Sequence, residues 1–153
     1  MSEKVKELKV SAIENGTVID HIPANAVFQV IRILKLEEFE NMILFATNLA
    51  SKKYGKKGIV KVSNKFFKPE EVNRIALVAP HATMIEIRDF QVANKTIVEI
   101  PDQINGIVKC FNPNCITNHE QIAQNFKVID KEDLRLKCHY CEKITVKNNM
   151  TFL

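Results

Sequence analysis

Apolar and polar positions alternate from Leu8 to Ile13 with the period of two that a half-buried strand shows. Glu14-Asn15-Gly16 follows as a turn signal, and the β-branched run Thr17 to Ile22 reads as a second strand stopped by Pro23. The period then changes. Val27, Val30, Ile31 and Leu34 fall at i, i+3, i+4 and i+7, one face of a helix that starts at Ala26 with Asn25 as its cap. Met42 to Leu49 is a strand. A glycine-flanked basic loop, Gly55-Lys56-Lys57-Gly58, leads into another strand from Ile59 to Val62. Pro69 stands where the first residue of a helix tolerates proline, with Glu70 and Glu71 near the positive end of its dipole. Val72, Ile75, Ala76 and Ala79 form that helix's apolar face, and Pro80 closes it. Thr83, Ile85 and Ile87 alternate as a strand, and after a turn at Arg88-Asp89 a short strand runs from Phe90 to Val92.

The order β-α-β-β-α-β, with strand material added at both ends, predicts an α+β, ferredoxin-like split βαβ sheet with two helices on one face. The other face, or an edge, is left free to bind. Pro101-Asp102 marks a junction. Beyond it the helical period disappears and short β-like pieces alternate with cysteines. Two domains are expected: residues 1–100, of which 1–7 form a loose tail, and residues 101–153.

The chain has 153 residues, 46% hydrophobic and 26% charged, an ordinary globular balance. No apolar run is long enough to span a membrane, and the charged N-terminus lacks the apolar core of a signal peptide, so a cytoplasmic location is expected. The net charge of +4 implies no particular partner. The charge is uneven, however. Ser51 to Lys68 holds Lys52, Lys53, Lys56, Lys57, Lys61, Lys65 and Lys68 and no acid, which reads either as a solvated loop and strand or as an anion site.

All four cysteines lie in the last third, as C-F-N-P-N-C at Cys110 and Cys115 and C-H-Y-C at Cys138 and Cys141, with 22 residues between the pairs. Two knuckles that each aim two sulfurs at one point make a tetrahedral zinc site, and a domain this small benefits from a structural metal. Four thiolates leave no position for a reactive water, so the zinc is structural. Lys109, Lys137 and Lys143 stand beside the cysteines and offset their charge. His119 and His139 lie close enough to replace one ligand, and four free cysteines or two disulfides are the bland alternatives. A reducing compartment favours the metal.

G-T-V-I-D-H-I-P at Gly16 to Pro23, together with C-x4-C and C-x2-C-E-K ending at Lys143, resembles the regulatory chain of aspartate carbamoyltransferase, and the resemblance runs from about Leu8 to the last strand. It implies a chain that is not an enzyme. The N-terminal domain would bind ATP as activator and CTP, sometimes with UTP, as inhibitor. The zinc domain would dock on the catalytic chain, with regulatory dimers bridging catalytic trimers in feedback control of pyrimidine biosynthesis.

Asp20 and His21 end a strand, where a carboxylate can accept from a ribose hydroxyl or base amine and a histidine can approach phosphate; they match the family's ribose and phosphate region. Lys61 and Lys95 resemble its nucleotide-contacting lysines. Ala12, Ile13, Val18, Ile59, Ile87 and Val92 would line the apolar part of the pocket. Phe90 stands where the bacterial pattern has Tyr, and Ile85 where it has Asn, which removes a hydroxyl and a polar contact near the base. The apolar strand from Met42 to Phe45, and Leu49 after it, suits either the core or a regulatory dimer contact. The rival reading is a zinc-ribbon nucleic-acid-binding protein, with Tyr54, Phe66 and Phe67 near the lysines as stacking surfaces. Few arginines (Arg32, Arg74, Arg88 and Arg135) speak against it.

Overall fold

The computed structural model describes residues 12–153, which divide into two compact units, the first ending at Glu99 and the second running from Ile100 to Leu153. Most of the strand expected from Leu8 to Ile13 lies outside the described residues, and Ala12 and Ile13 are not in a strand. No helix among the described residues is long and apolar enough to cross a membrane.

The first unit is built on strands β1 (Gly16–Pro23), β2 (Ile43–Ser51), β3 (Gly55–Ser63), β4 (Thr83–Arg88) and β5 (Gln91–Ile97), with helices α1 (Val27–Ile33) and α2 (Pro69–Val78). The sheet order is β2-β3-β1-β4-β5, and every neighbouring pair is antiparallel. This is the ferredoxin-like arrangement with one more strand beside β4. Ile19, Val60 and Val62 are fully buried, as are Val27 and Val30 of α1 and Ile75 and Ala76 of α2. Gly58 shows which face α1 covers: a Cβ there would lie 1.9 Å from Val27 Cγ2. Gly58, Val60 and Val62 therefore point toward the helices, and Lys57, Ile59 and Lys61 point the other way. Thr17, buried on the helix side, satisfies its hydroxyl by donating to the Lys65 carbonyl at 2.6 Å.

Four local expectations are corrected. Asn25 does not cap a helix. Pro23 leads into a 3-10 turn over Ala24–Ala26, Thr47 Oγ1 ties that turn down through the Ala24 carbonyl, and α1 starts at Val27 without a side-chain cap. The segment from Gly55 to Gly58 is not a loop but the start of β3, because β2 supplies backbone partners: Lys57 pairs with Leu49 and Lys56 with Ala50. The turn is instead Lys52-Lys53-Tyr54. Finally, Phe90 belongs to the β4–β5 turn, with Asp89, rather than to a strand, and Lys95 lies inside β5 rather than after it. As an edge strand β5 is exposed along its whole length, so its sequence carries no burial alternation. The N-terminus of α2 is as expected: Pro69 is its first residue, and the Lys68 N–H donates to the Glu71 carboxylate at 3.0 Å.

The second unit has β6 (Gln103–Asn105), β7 (Val108–Lys109), β8 (Asn125–Asp130), β9 (Arg135–Cys138), β10 (Ile144–Val146) and β11 (Thr151–Phe152). These form a sheet β10-β9-β8-β6 and a ribbon β11-β7 around Ile104, Val108, Phe126 and Leu136. Three of the four cysteines are buried beside that small core.

Candidate functional site

In the second unit, Cys110 follows β7, Cys115 opens a 3-10 turn, Cys138 ends β9 and Cys141 lies in the turn after it. The four Sγ atoms lie within 4.8 Å of one another. Cys110 Sγ is 3.6 Å from Cys141 Sγ, and Cys115 Sγ is 3.7 Å from Cys138 Sγ. A disulfide needs about 2.05 Å. A tetrahedron of sulfurs around a metal with bonds of about 2.3 Å has an edge of about 3.8 Å. The cluster has the dimensions of a closed tetrahedral metal site.

Its surroundings suit bound thiolates. The backbone N–H groups of Asn112, Tyr140, Cys141 and Lys143 point at sulfurs. The Asn118 amide braces the first knuckle by donating to the carbonyls of Cys110 at 3.0 Å and Asn112 at 2.7 Å. Burial pushes the Cys110 and Cys138 thiols up. Burial also raises Cys141, but hydrogen bonds led by the Lys143 N–H outweigh it and bring that thiol down to about 7. A cation at the centre would deprotonate all four. Neither histidine joins the cluster: His119 Nε2 is 2.8 Å from the Pro113 carbonyl oxygen, and His139 packs edge-on against Tyr140.

In the first unit, register sets a second constellation on the helix-free face of the sheet. Leu44 faces Lys61, Lys61 faces Val18, Val18 faces Ile85, and Ile85 faces Lys95, one row across all five strands. Ile59 lies two residues from Lys61, Ile87 two from Ile85, and Val92 opposite Ile87. At the end of β1, Asp20 faces Thr83, and a bulge between Ile19 and Ile22 turns His21 to φ 55°. His21 Nδ1 is 3.1 Å from Thr83 Oγ1. At the other end of the face Phe90, also at positive φ and 65% exposed, donates its N–H to the Glu14 carbonyl. Ile13 is buried just before β1, and Ala12 is exposed.

Lys57, read from the sequence as part of a basic loop that is either solvated or an anion site, is the direct partner of Asp20, at 2.7 Å. The strand period was the available signal, since it sets Lys57, Ile59 and Lys61 on one face, but the flanking glycines disguised the strand. Burial raises the Asp20 carboxyl; the Lys57 bond, the His21 N–H at 2.6 Å and the nearby positive charges more than offset this and hold it below its ordinary 3.8. Burial pulls His21 down, Asp20 opposes this, and the charges of Lys57, Lys53 and Lys95 add to it.

A pH dependence follows from Asp20. Its folded pKa is depressed, so its contribution to stability is present above about pH 4 and is lost as pH falls through the folded value. Lys57→Ala is expected to lower the denaturation midpoint at pH 7, and the gap to wild type should close as pH drops toward about 3. A gap of equal size at both pH values would contradict the pairing.

Two family models match the chain: the allosteric domain of the aspartate carbamoyltransferase regulatory chain over residues 8–99, and its metal binding domain over residues 102–151. The chain belongs to the aspartate carbamoyltransferase regulatory-chain family. The regulatory chain of Bacteroides fragilis is 50% identical over 153 residues, covering all of both chains. That of Pyrococcus abyssi is 58% identical over 139 residues, covering 90% of this chain and 91% of its own. That of Thermococcus sibiricus is 55% identical over 146 residues, covering 95% and 96%. The family is one of regulatory, non-catalytic chains of a pyrimidine-biosynthesis enzyme. The allosteric-domain match falls on the sheet unit, and the metal-binding match takes in the four-sulfur cluster. These two matches leave a zinc-ribbon nucleic-acid-binding protein without support.

Proposed function

We propose that the helix-free face binds nucleoside triphosphate effectors, ATP as activator and CTP, sometimes with UTP, as inhibitor, and that the chain passes their signal to an aspartate carbamoyltransferase catalytic chain. The observation that carries this reading is the row Lys61, Val18, Ile85, Lys95, with Asp20 and His21 beside it: cations, an apolar floor and a fixed carboxylate converge on one open surface. Lys61 and Lys95 take phosphate oxygens as point donors. Lys57 keeps Asp20 ionised and aimed, so that it accepts from a ribose hydroxyl or a base amine. Val18, Ile59, Ile87, Val92 and the Phe90 ring pack on the apolar parts of the nucleotide, with backbone at Ala12 and Ile13 beside them. Ile85 offers no hydrogen bond to the base, so base choice falls to backbone groups and shape.

Cys110, Cys115, Cys138 and Cys141 hold one zinc ion. When bound, the ion cross-links the two knuckles and fixes the shape of the unit that docks on the catalytic chain. In a reducing cytoplasm these cysteines stay available as thiolates. Regulatory dimers bridge catalytic trimers. The edge strand β2 suits pairing of two regulatory chains, since Phe45 is 49% exposed and stacks edge-on with Phe28, 53% exposed, at 5.6 Å.

Calorimetry on the zinc-loaded chain tests the effector site. CTP and ATP should compete, and Lys95→Ala should weaken both about tenfold by removing a charged phosphate partner. Unchanged affinity in Lys95→Ala would contradict the role given to this face.

A further inference from the structure

The turn between β2 and β3 brings Lys53 to the end of the sheet where Asp20, His21 and Thr83 meet. Lys53 Nζ donates to the His81 carbonyl at 3.2 Å, two residues before Thr83, and Thr83 Oγ1 is 3.1 Å from His21 Nδ1. The charged groups around His21 come from four elements: Asp20 on β1, Lys57 on β3, Lys95 on β5, and Lys53 on the turn. Lys57 is committed to Asp20. Lys53 has no carboxylate within ion-pair distance among the described residues; its partners are a neutral carbonyl and the face of Tyr54, 5.1 Å away. A phosphate oxygen is a stronger partner for an ammonium than a carbonyl is, and this exposed side chain is long enough to change partners without moving the sheet.

We propose that Lys53 is a further specificity residue of the effector face, closing from the β2–β3 turn over the outer phosphates of a nucleoside triphosphate, so that the turn selects polyphosphate length rather than base. The inference rests on the nucleotide reading above and adds to it one residue and one discrimination. Lys56 is the internal comparison, because it carries the same charge one residue from Lys57 and on the opposite face of β3.

The test is calorimetric titration of CTP and CMP into the full, zinc-loaded chain, as wild type, Lys53→Gln and Lys56→Gln. Lys53→Gln should weaken CTP about tenfold and leave CMP within about twofold, while Lys56→Gln should change CTP by less than about threefold. The assignment is overturned if Lys53→Gln lowers CTP and CMP affinity equally, if it lowers neither, or if Lys56→Gln matches it, which would mark a diffuse field effect. A wild-type chain that binds neither nucleotide overturns the underlying reading and this inference with it.

Discussion

Cys115→Ala is expected to unfold residues 100–153 while leaving the sheet unit folded. Cys115 is buried, with its Sγ 3.7 Å from Cys138 Sγ and 3.1 Å from Thr117 Oγ1. The second unit has short strands, and its largest fully buried side chains are Ile104, Phe126 and Leu136. A core of that size seldom stabilises itself, whereas a structural zinc site contributes about 10–16 kcal/mol in small domains at neutral pH. Losing one thiolate also leaves three others crowded without the cation that offsets them. Proton–nitrogen correlation spectra should lose the dispersed signals of residues 100–153 and keep those of the sheet. Withdrawing the metal with a mercurial should give the same spectrum. A second unit that stays dispersed after verified metal loss would show that its apolar core suffices.

Gly16→Ala is expected to destabilise the sheet unit by about 2–5 kcal/mol, the sum of backbone strain and overpacking. Gly16 has φ +140°, which side-chain-bearing residues rarely adopt, and a Cβ there would lie 2.1 Å from the Val62 carbonyl oxygen and 3.0 Å from the Asn64 nitrogen. Both are backbone atoms, one within β3 and the other in the residue that follows it, so relief requires β1 and β3 to part at this end. Thermal unfolding followed by circular dichroism should show the first unit's transition shifted down by ~10–30 °C, with the metal unit unaffected. A shift below about 5 °C would mean that the ladder yields easily at this point. The same contact explains why the motif at Gly16 to Pro23 opens with glycine: β1 enters the sheet too close to β3 for any side chain.

How much of this was legible in the sequence depended on distance along the chain. The sulfur cluster was legible because each knuckle is local: Cys110 with Cys115, and Cys138 with Cys141, carry their geometry in their spacing. The start of α2 was legible for the same reason, since Pro69 and Glu71 act within one turn. The proposed effector face was not legible from spacing. Lys61, Val18, Ile85 and Lys95 come from four strands and meet only through register, so the residue pattern alone offered lysines without an arrangement. The resemblance to a known family supplied the grouping. The Lys57–Asp20 pair and the reach of Lys53 escaped because pairing with β2 turns a glycine-flanked basic stretch into strand, and no local propensity announces a partner strand.

The central claim, that effectors are sensed on the helix-free face of the sheet unit, is tested most directly by titrating CTP into the isotope-labelled, zinc-loaded chain and following every backbone signal. Saturable shifts should centre on Val18, Asp20, His21, Lys61, Ile85 and Lys95, and ATP should displace CTP from the same residues. No saturable shift, or shifts centred on residues 100–153, would contradict the claim.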